Sequence, residues 1–348
     1  MITLFLKWIK DFSSEINVVL PLASNQNCIA IGAAINGVPR FVVSKCLIYA
    51  GGGYFGEPST QILKWSIRNW FRHLLLGVFS KCLGKPYAII GVGAGPITNR
   101  LLRNSSVKLF NGAQIVAVRD EESCDYLVKY GVAKDKIILA ADAALAMDSD
   151  DIPGAFKQKA KSMLAPLDNK IKVGIHFTHD NSNQEQQSQL QNELIEFAKK
   201  TPNLGFVVFT DFLNPTDILS SDEKIAKKIV ETLGTQALFI PYADNWTMLG
   251  VISELRITVT TKLHVGIVSV ALGKEVLSFP HHQKTPRFYK QIGMQNRCTP
   301  ISEYTPGLLG ELLNGALDNE KTFELPIDIR NAALNNKRLV HNFLREFV

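Results

Sequence analysis

The sequence predicts an α/β protein of two domains, each built around a parallel, doubly wound β-sheet. Short apolar and β-branched runs alternate with helical segments along most of the chain, which is typical of a parallel sheet covered by helices. The alternation stops between residues 148 and 170, where Asp, Pro and Gly flank a lysine-rich segment, and then restarts. A chain of 348 residues is long for a single hydrophobic core and long enough for two domains.

The first half is predicted to form a Rossmann-like domain, residues 1–165. Such a domain normally opens with a strand and a tight glycine turn, whereas residues 4–12 have a helical pattern, so we expect its opening βα unit to be incomplete. The pattern predicts helices at 4–12, 65–79 and 123–130, and strands at 16–22, 41–43, 46–50, 87–91, 113–118 and 137–141.

The second half is predicted to form another Rossmann-like domain, residues 166–328. The terminal helix 329–347 is expected to pack back on the N-terminal domain. Ligands of such proteins bind at the carboxyl ends of the strands, so a cleft at those ends is the expected site. The predicted strands are 171–177, 206–210, 237–240, 256–261 and 275–279, and the helices are 185–200, 222–233, 244–254, 263–272 and 285–293.

Composition narrows the class of protein. The net charge of +6 is mild and spread along the chain, which fits an acidic or phosphorylated ligand and does not indicate nucleic-acid binding. Five cysteines without a C-x-x-C motif favour a reducing compartment and no structural zinc. No apolar run approaches the roughly 20 residues that span a bilayer. We therefore predict a cytoplasmic protein.

The junction Lys262-Leu263-His264 is the best candidate for a catalytic site in the sequence. It follows a β-branched run and opens an apolar segment that Gly273 ends, so it lies between the end of a strand and the start of a helix. A helix N-terminus carries N–H donors and partial positive charge, which suits an anion. Lys262 adds a fixed charge, and His264 exchanges a proton near neutral pH.

Two glycine-rich segments follow predicted strands. Residues 51–56 fit G-x-G-x-x-G, but no acidic residue lies about 20 positions on, so a nicotinamide site is not favoured. A tight turn that lets the backbone approach a ligand is favoured for residues 51–56. The second segment, residues 91–96, either lines a phosphate or sugar with its backbone N–H groups or serves close packing. The glycines assigned to the lining of the cleft are Gly52, Gly53, Gly93 and Gly95.

Arg119 and Asp120 follow another predicted strand. Arg119 either clamps a carboxylate or phosphate with two hydrogen bonds or forms a structural ion pair that holds the turn, and Asp120 would line the same cleft.

Further polar residues follow predicted strands of the second half. His176 and His281 are assigned to the cleft lining, Lys284 would reach the same anion as Lys262, and Asp211 is a further candidate for the acceptor site. No third ligand accompanies His176 and His179, so no metal site is predicted.

The segment from Lys64 to Lys85 mixes aromatic and basic residues. It is either an interfacial membrane helix or a helix that covers the sheet with a basic outer side. We favour the second interpretation and predict at most peripheral membrane contact.

Taken in order, these motifs resemble the polysaccharide pyruvyl transferase family. That family usually has Arg-Leu-His where this chain has Lys262-Leu263-His264, and lysine keeps the charge but loses the two-pronged geometry of arginine. The resemblance extends over roughly residues 46–290, through Gly51-Gly52-Gly53, Gly91 to Ile97, Val118 to Ser123, Asp142, Lys262-Leu263-His264, Gly273 and Lys284.

The resemblance implies a GT-B-like fold, in which two Rossmann-like domains with parallel sheets face each other across a cleft. It implies transfer of a pyruvyl group from phosphoenolpyruvate to a sugar of a cell-surface polysaccharide or its precursor, which forms a pyruvate ketal. His264 would be the general acid/base, and Lys262, Lys284 and Arg119 would bind the donor without a cofactor or metal. Whether the saccharide acceptor is lipid-linked and whether the protein is a homo-oligomer are left open.

Two alternatives remain at this point. One is a GT-B nucleotide-sugar glycosyltransferase, in which His264 and the helix N-terminus would bind a diphosphate. The other is a non-catalytic family member that only binds a glycan or a partner.

Overall fold

The computed structural model describes residues 1–21, 28, 35–36, 38–58, 61–212, 218–282, 284–318 and 324–347. The chain forms two compact units, Met1–Ala146 together with Ile327–Val348, and Met147–Pro326. The structure divides the chain after Ala146, whereas the sequence pattern placed the boundary later, after residue 165. The reason is that the lysine-rich segment between 148 and 170 packs within the second unit.

The first unit contains a four-stranded parallel sheet in the order β3-β4-β5-β6. Strand β4 is buried along its whole length, which is typical of a strand covered on both faces. A separate pair of short parallel strands, β1 and β2, precedes this sheet. The strands are β1 (Val19–Leu20), β2 (Ile35–Asn36), β3 (Leu47–Phe55), β4 (Tyr87–Ala94), β5 (Ile115–Val118) and β6 (Ile137–Leu139).

Helices connect the strands of the first unit. Asp120 begins α6 as its N-cap, since its Oδ1 accepts a hydrogen bond from Ser123 N at 2.8 Å. A π-helical segment, Trp70–Leu74, joins α3 to α4. The helices are α1 (Ile2–Phe12), α2 (Val38–Val43), α3 (Ile62–Asn69), α4 (Leu75–Cys82), α5 (Arg100–Gly112) and α6 (Glu121–Lys129).

The second unit contains a five-stranded parallel sheet in the order β11-β10-β7-β8-β9. Strands β8, β10 and β11 are buried throughout, and their apolar side chains form the core with helices on the sheet. The strands are β7 (Ile171–His176), β8 (Leu204–Phe209), β9 (Ala237–Ile240), β10 (Ile257–Thr260) and β11 (Glu275–Ser278).

Seven α-helices lie in the described part of the second unit. Helix α7 packs against α10 at Gly250, where a Cβ atom would lie 2.9 Å from Cβ of Ala160. This close contact places α7 in the second unit. The helices are α7 (Gly154–Leu164), α8 (Gln184–Lys200), α9 (Ser221–Leu233), α10 (Asn245–Ser253), α11 (Leu263–Ala271), α12 (Lys284–Gln291) and α13 (Leu308–Asp318).

The terminal helix α14 (Ile327–Leu344) belongs to the first unit. Its apolar side chains Val340 and Phe343 are buried, and Nε2 of His341 lies 2.9 Å from the carbonyl oxygen of Trp8 in α1. Burial of one apolar face explains why this segment returns to the first unit.

Two local predictions are wrong. Residues 41–43 end a helix, α2, and are not a strand, because Pro39 lies in the first turn of a helix that buries Phe41. Gly51, Gly52, Gly53 and Gly93 lie inside strands β3 and β4 and not in turns after them.

Within the described ranges, no helix combines the length and the apolar character that a membrane crossing needs.

Candidate functional site

Three charged or polar side chains meet at the carboxyl edge of the sheet in the second unit. Nζ of Lys262, which follows β10, lies 2.8 Å from Oδ1 and 2.7 Å from Oδ2 of Asp211, which follows β8. Nε2 of His176, the last residue of β7, lies 3.3 Å from Oδ1 of the same carboxylate. Because β7 lies between β8 and β10, their carboxyl ends are adjacent, and the three side chains form one cluster.

The cluster sets the ionisation of Asp211. Burial by itself would raise the pKa of this carboxyl, but the hydrogen bond and attraction of His176 and those of Lys262 outweigh it. The pKa therefore lies well below its usual range, and Asp211 is a carboxylate at neutral pH. Its negative charge holds the Lys262 ammonium in place and partly neutralises it.

The imidazole of His176 is almost fully buried, with 2 % of its side chain exposed. Its ring packs on Phe209 with 5.4 Å between ring centroids. Among the described residues, Nδ1 of His176 has no hydrogen-bond partner. The side chain thus supports Asp211 from inside the unit, and its second nitrogen is buried without a partner among the described residues.

Helix α11 starts beside this cluster. Lys262 occupies its N-cap position without a side-chain cap, and the Lys262 carbonyl accepts a hydrogen bond from Gly266 N at 3.2 Å. His264 lies in the first turn with an exposed side chain. The Lys262 N–H donates to the hydroxyl of Thr260 at 3.0 Å, but this nine-residue helix has no side-chain cap from its N-cap residue.

Lys284 begins α12, which follows β11, the strand next to β10. Its side chain is exposed. Lys262, His264 and Lys284 therefore lie after the carboxyl ends of two neighbouring strands, as predicted.

His281 lies beyond the end of β11. It is half-buried, and its Nε2 lies 3.3 Å from the carbonyl oxygen of Thr178, beyond the end of β7. Burial lowers its pKa, although the carboxylate of Asp180 opposes that shift. Thr178 in turn contacts Thr261, with 2.9 Å between their hydroxyl oxygens. His281 thus links the loops that follow β11 and β7.

The remaining predicted donor residue, Arg119, belongs to the first unit. Its Nη1 donates to Oδ2 of Asp142 at 2.9 Å, and its Nε lies 3.4 Å from Oδ2 of Asp120. The side chains of Arg119 and Asp142 are only 13 % and 5 % exposed. The sequence allowed two roles for Arg119, a clamp on the donor or a structural ion pair. These contacts favour the structural ion pair.

The glycines explain how this arginine fits. A Cβ atom on Gly93 would lie 2.9 Å from Nε of Arg119, and one on Gly53 would lie 3.7 Å from its Nη2. Gly52 has φ +150° and Gly95 has φ +78°, where side chains are strained. Gly93 thus makes room for the guanidinium, whereas a Cβ atom at Gly53 would only make an ordinary van der Waals contact with it.

Sequence reasoning underestimated Asp211 and did not include Tyr242. Burial raises the pKa of the Tyr242 phenol, and the carboxylates of Asp244 and Asp211 add to that shift. Both residues follow apolar strands, and this position was the signal in the sequence that could have identified them.

Among the described residues, no group of three or more His, Cys, Asp or Glu side chains is placed to hold a metal ion.

Comparison with solved structures defines the class of fold. UDP-GlcNAc 2-epimerase from Neisseria meningitidis, bound to UDP-GlcNAc, has a TM-score of 0.62 and 15 % identity, with 99 % of this chain and 95 % of that chain covered. Anabaena Alr3699/HepE in complex with UDP and glucose has a TM-score of 0.55 and 13 % identity, with 99 % and 94 % covered. At these identities the likeness establishes the fold, an α/β, GT-B-like architecture with two parallel sheets, as predicted.

The sequence comparison gives the family. The profile of the polysaccharide pyruvyl transferase family matches residues 4–283, and the chain belongs to that family. It is also 22 % identical over 300 residues to the amylovoran biosynthesis protein AmsJ of Erwinia amylovora. That match covers 78 % of this chain and 66 % of AmsJ, so the chain spans just under two thirds of this relative's length.

Proposed function

We propose that the protein transfers a pyruvyl group from phosphoenolpyruvate to two hydroxyls of a saccharide, which forms a cyclic pyruvate ketal and releases phosphate. The family supports a transferase that acts on polysaccharide, and the name of the relative AmsJ supports a saccharide destined for a polysaccharide. The observation that carries the proposal is the segment Lys262-Leu263-His264 at the uncapped start of α11.

The donor has a chemistry that suits this segment. Phosphoenolpyruvate carries a carboxylate and a phosphate, and both need cations or N–H donors. The N-terminus of α11 and the ammonium of Lys262 provide them on the second unit, and Lys284 begins the next helix of the same edge. Asp211 fixes the position of the Lys262 ammonium, so that little reorganisation accompanies binding.

The proposed reaction is an addition followed by a displacement, both at the carbon that carries the phosphate. In the addition, His264 donates a proton to the methylene carbon, and a sugar hydroxyl forms a C–O bond at the neighbouring carbon and passes its own proton to the imidazole. In the displacement, another hydroxyl of the sugar forms a second C–O bond at that carbon, the C–O bond to phosphate breaks, and the proton of this hydroxyl leaves with the phosphate. The exposed imidazole of His264 in the first turn of α11 supports its assignment to these proton transfers, a role that typically contributes about 10²–10⁴-fold. No cofactor is required.

The donor is tested by ligand-induced thermal stabilisation. A ligand that binds only the folded protein raises the melting temperature. We expect phosphoenolpyruvate to stabilise the wild type and to lose that effect in Lys262→Gln. The matched control is Lys227→Gln on an exposed position of α9, which should respond as the wild type does.

Two other ligand responses distinguish the alternatives. UDP and GDP are included because fold-related proteins bind UDP. Stabilisation by a nucleotide alone would replace the proposal with glycosyl transfer. No response to any of the three ligands, together with saccharide binding and no phosphate release, would replace it with a non-catalytic glycan-binding role.

A further inference from the structure

The segment from Ile62 to Leu83, which includes α3, the π-helical segment and α4, covers the sheet of the first unit with one side only. Trp65, Asn69 and Leu74 are buried on that side, and Trp65 and Leu74 pack in the core of the unit. The prediction of a sheet-covering helix is therefore correct for the inner side.

The outer side differs from the prediction, because it is apolar as well as basic. Leu63 is 72 %, Ile67 53 % and Phe71 61 % exposed, and their spacing of four places them in one row. Trp70 is 37 % exposed beside them, and the row continues towards Val78 and Phe79, each 49 % exposed. Adjacent large apolar side chains that face solvent in this way mark an interaction surface.

A row of cations runs beside the apolar row. Lys64, Arg68 and Arg72 have the same spacing, and each is exposed. From residue 58 to residue 119 the sequence contains Lys, Arg and His but no Asp or Glu. The surface is therefore positive without neutralising carboxylates of its own segment, and a partner with the opposite charge is favoured.

The apolar surface extends beyond the helix. Nζ of Lys85 donates to the carbonyl oxygens of Phe41 and Val42, at 3.1 and 2.6 Å, and also to that of Ser44. These bonds hold the end of α2 against the end of the helical segment. Val42 and Val43, 52 % and 81 % exposed, thus belong to a segment that is tied to Lys85, two residues after Leu83, which is 47 % exposed. Because Lys85 donates its hydrogen bonds to backbone carbonyls of the first unit, it is not counted in the basic row.

We infer that this face, defined by Leu63, Ile67, Phe71 and the cations Lys64, Arg68 and Arg72, binds the surface of an anionic lipid bilayer. Apolar side chains would enter the boundary between headgroups and acyl chains, and the long basic side chains beside them would reach the lipid phosphates. The attraction of the three cations to an anionic surface adds to the burial of the apolar row, and both together favour reversible attachment. This inference does not depend on the proposed reaction.

The test is cosedimentation of the full chain with vesicles of phosphatidylcholine alone and with added phosphatidylglycerol. We expect binding to the vesicles with phosphatidylglycerol, weakened by salt. Leu63→Gln/Ile67→Gln/Phe71→Gln and Lys64→Gln/Arg68→Gln/Arg72→Gln should each lower the partition coefficient about ten-fold or more. The control Ile171→Gln/Ile327→Gln removes exposed apolar side chains elsewhere, 44 % and 71 % exposed, and should bind as the wild type does.

Three results would overturn the inference. They are no binding of the wild type to either vesicle, equal binding to both vesicles, and unchanged binding of the two triple variants. Light scattering of the same proteins without vesicles tests the alternative, in which a second copy of the chain covers this face. A wild type heavier than one chain that becomes monomeric in the apolar triple variant, with vesicle binding unaffected, would assign the face to a second copy of the chain.

Discussion

The ammonium of Lys262 lies between the two carboxylate oxygens of Asp211, 2.8 and 2.7 Å from them. Two strands thus supply opposite charges to one point at the carboxyl edge of the sheet. The carboxylate of Asp211 therefore fixes the charge of Lys262 in position.

Asp211→Asn tests this support. Removal of the charge leaves Lys262 and His176 without their carboxylate, and we expect the free energy of unfolding to fall by about 1–3 kcal/mol at neutral pH. Denaturant unfolding measures it. The control Asp168→Asn changes a carboxylate whose side chain is 66 % exposed and 3.8 Å from Lys172, and should cost about 0.5 kcal/mol or less.

The same variant has a predicted pH dependence. The folded-state pKa of Asp211 lies below the ordinary value of 3.8, so its stabilisation is complete above that value and is lost as the pH falls towards the folded-state pKa. The stability difference between wild type and Asp211→Asn should thus shrink below about pH 4. A difference that stays constant on acidification would show that the charge of Asp211 is not responsible.

Arg119→Gln distinguishes a structural ion pair from a donor clamp. The side chain of Asp142 is 5 % exposed, and it would be left buried without its guanidinium partner. We expect a loss of about 3–5 kcal/mol in the free energy of unfolding. Asp142→Asn/Arg119→Gln should recover part of that loss. A variant with unchanged stability and weakened stabilisation by phosphoenolpyruvate would instead support the clamp.

Gly95→Ala is expected to destabilise the first unit strongly. A Cβ atom at Gly95 would lie 2.4 Å from Cγ of Tyr126, and the residue has φ +78°. The matched control is Gly131→Ala, with φ +101° and no heavy atom within 4 Å of the added carbon. The control carries only the backbone strain, about 1–2 kcal/mol. Similar losses in both variants would contradict the predicted collision with the tyrosine ring.

His73 should make the first unit sensitive to acid. Burial lowers its pKa from 6.5 to about 4, and Arg72 and Arg68 add to the shift. The unfolded chain binds the proton first, so stability should fall as the pH drops from about 6.5 to about 4, by at most about 1.4 kcal/mol per pH unit.

His73→Phe is the variant that tests this origin. The imidazole stacks on Tyr54 with 4.5 Å between ring centroids, and phenylalanine keeps a ring without a titrating group. Stability of the variant should depend less on pH in this interval, as measured by denaturant unfolding at several pH values. Parallel curves for variant and wild type would assign the acid sensitivity to other groups.

Local patterns determined the elements that need only the chain's own periodicity. The sequence by itself determined α11 and its position after β10, because a β-branched run, a charged junction and an apolar segment before Gly273 leave little other choice. It likewise determined the parallel class of both sheets, which the structure confirms. The roles predicted for His264, Lys262 and Lys284 remain proposals.

Only the tertiary structure decided which partners these residues have. Asp211 and Lys262 are far apart in the chain, and the sheet order that places β7 between their strands joins them to His176. Likewise, the position of Arg119 between carboxylates follows from the packing of β4, β5 and β6. Periodicity reports which side of an element is apolar. It does not report which strand lies beside which, and that order decides the charges that meet.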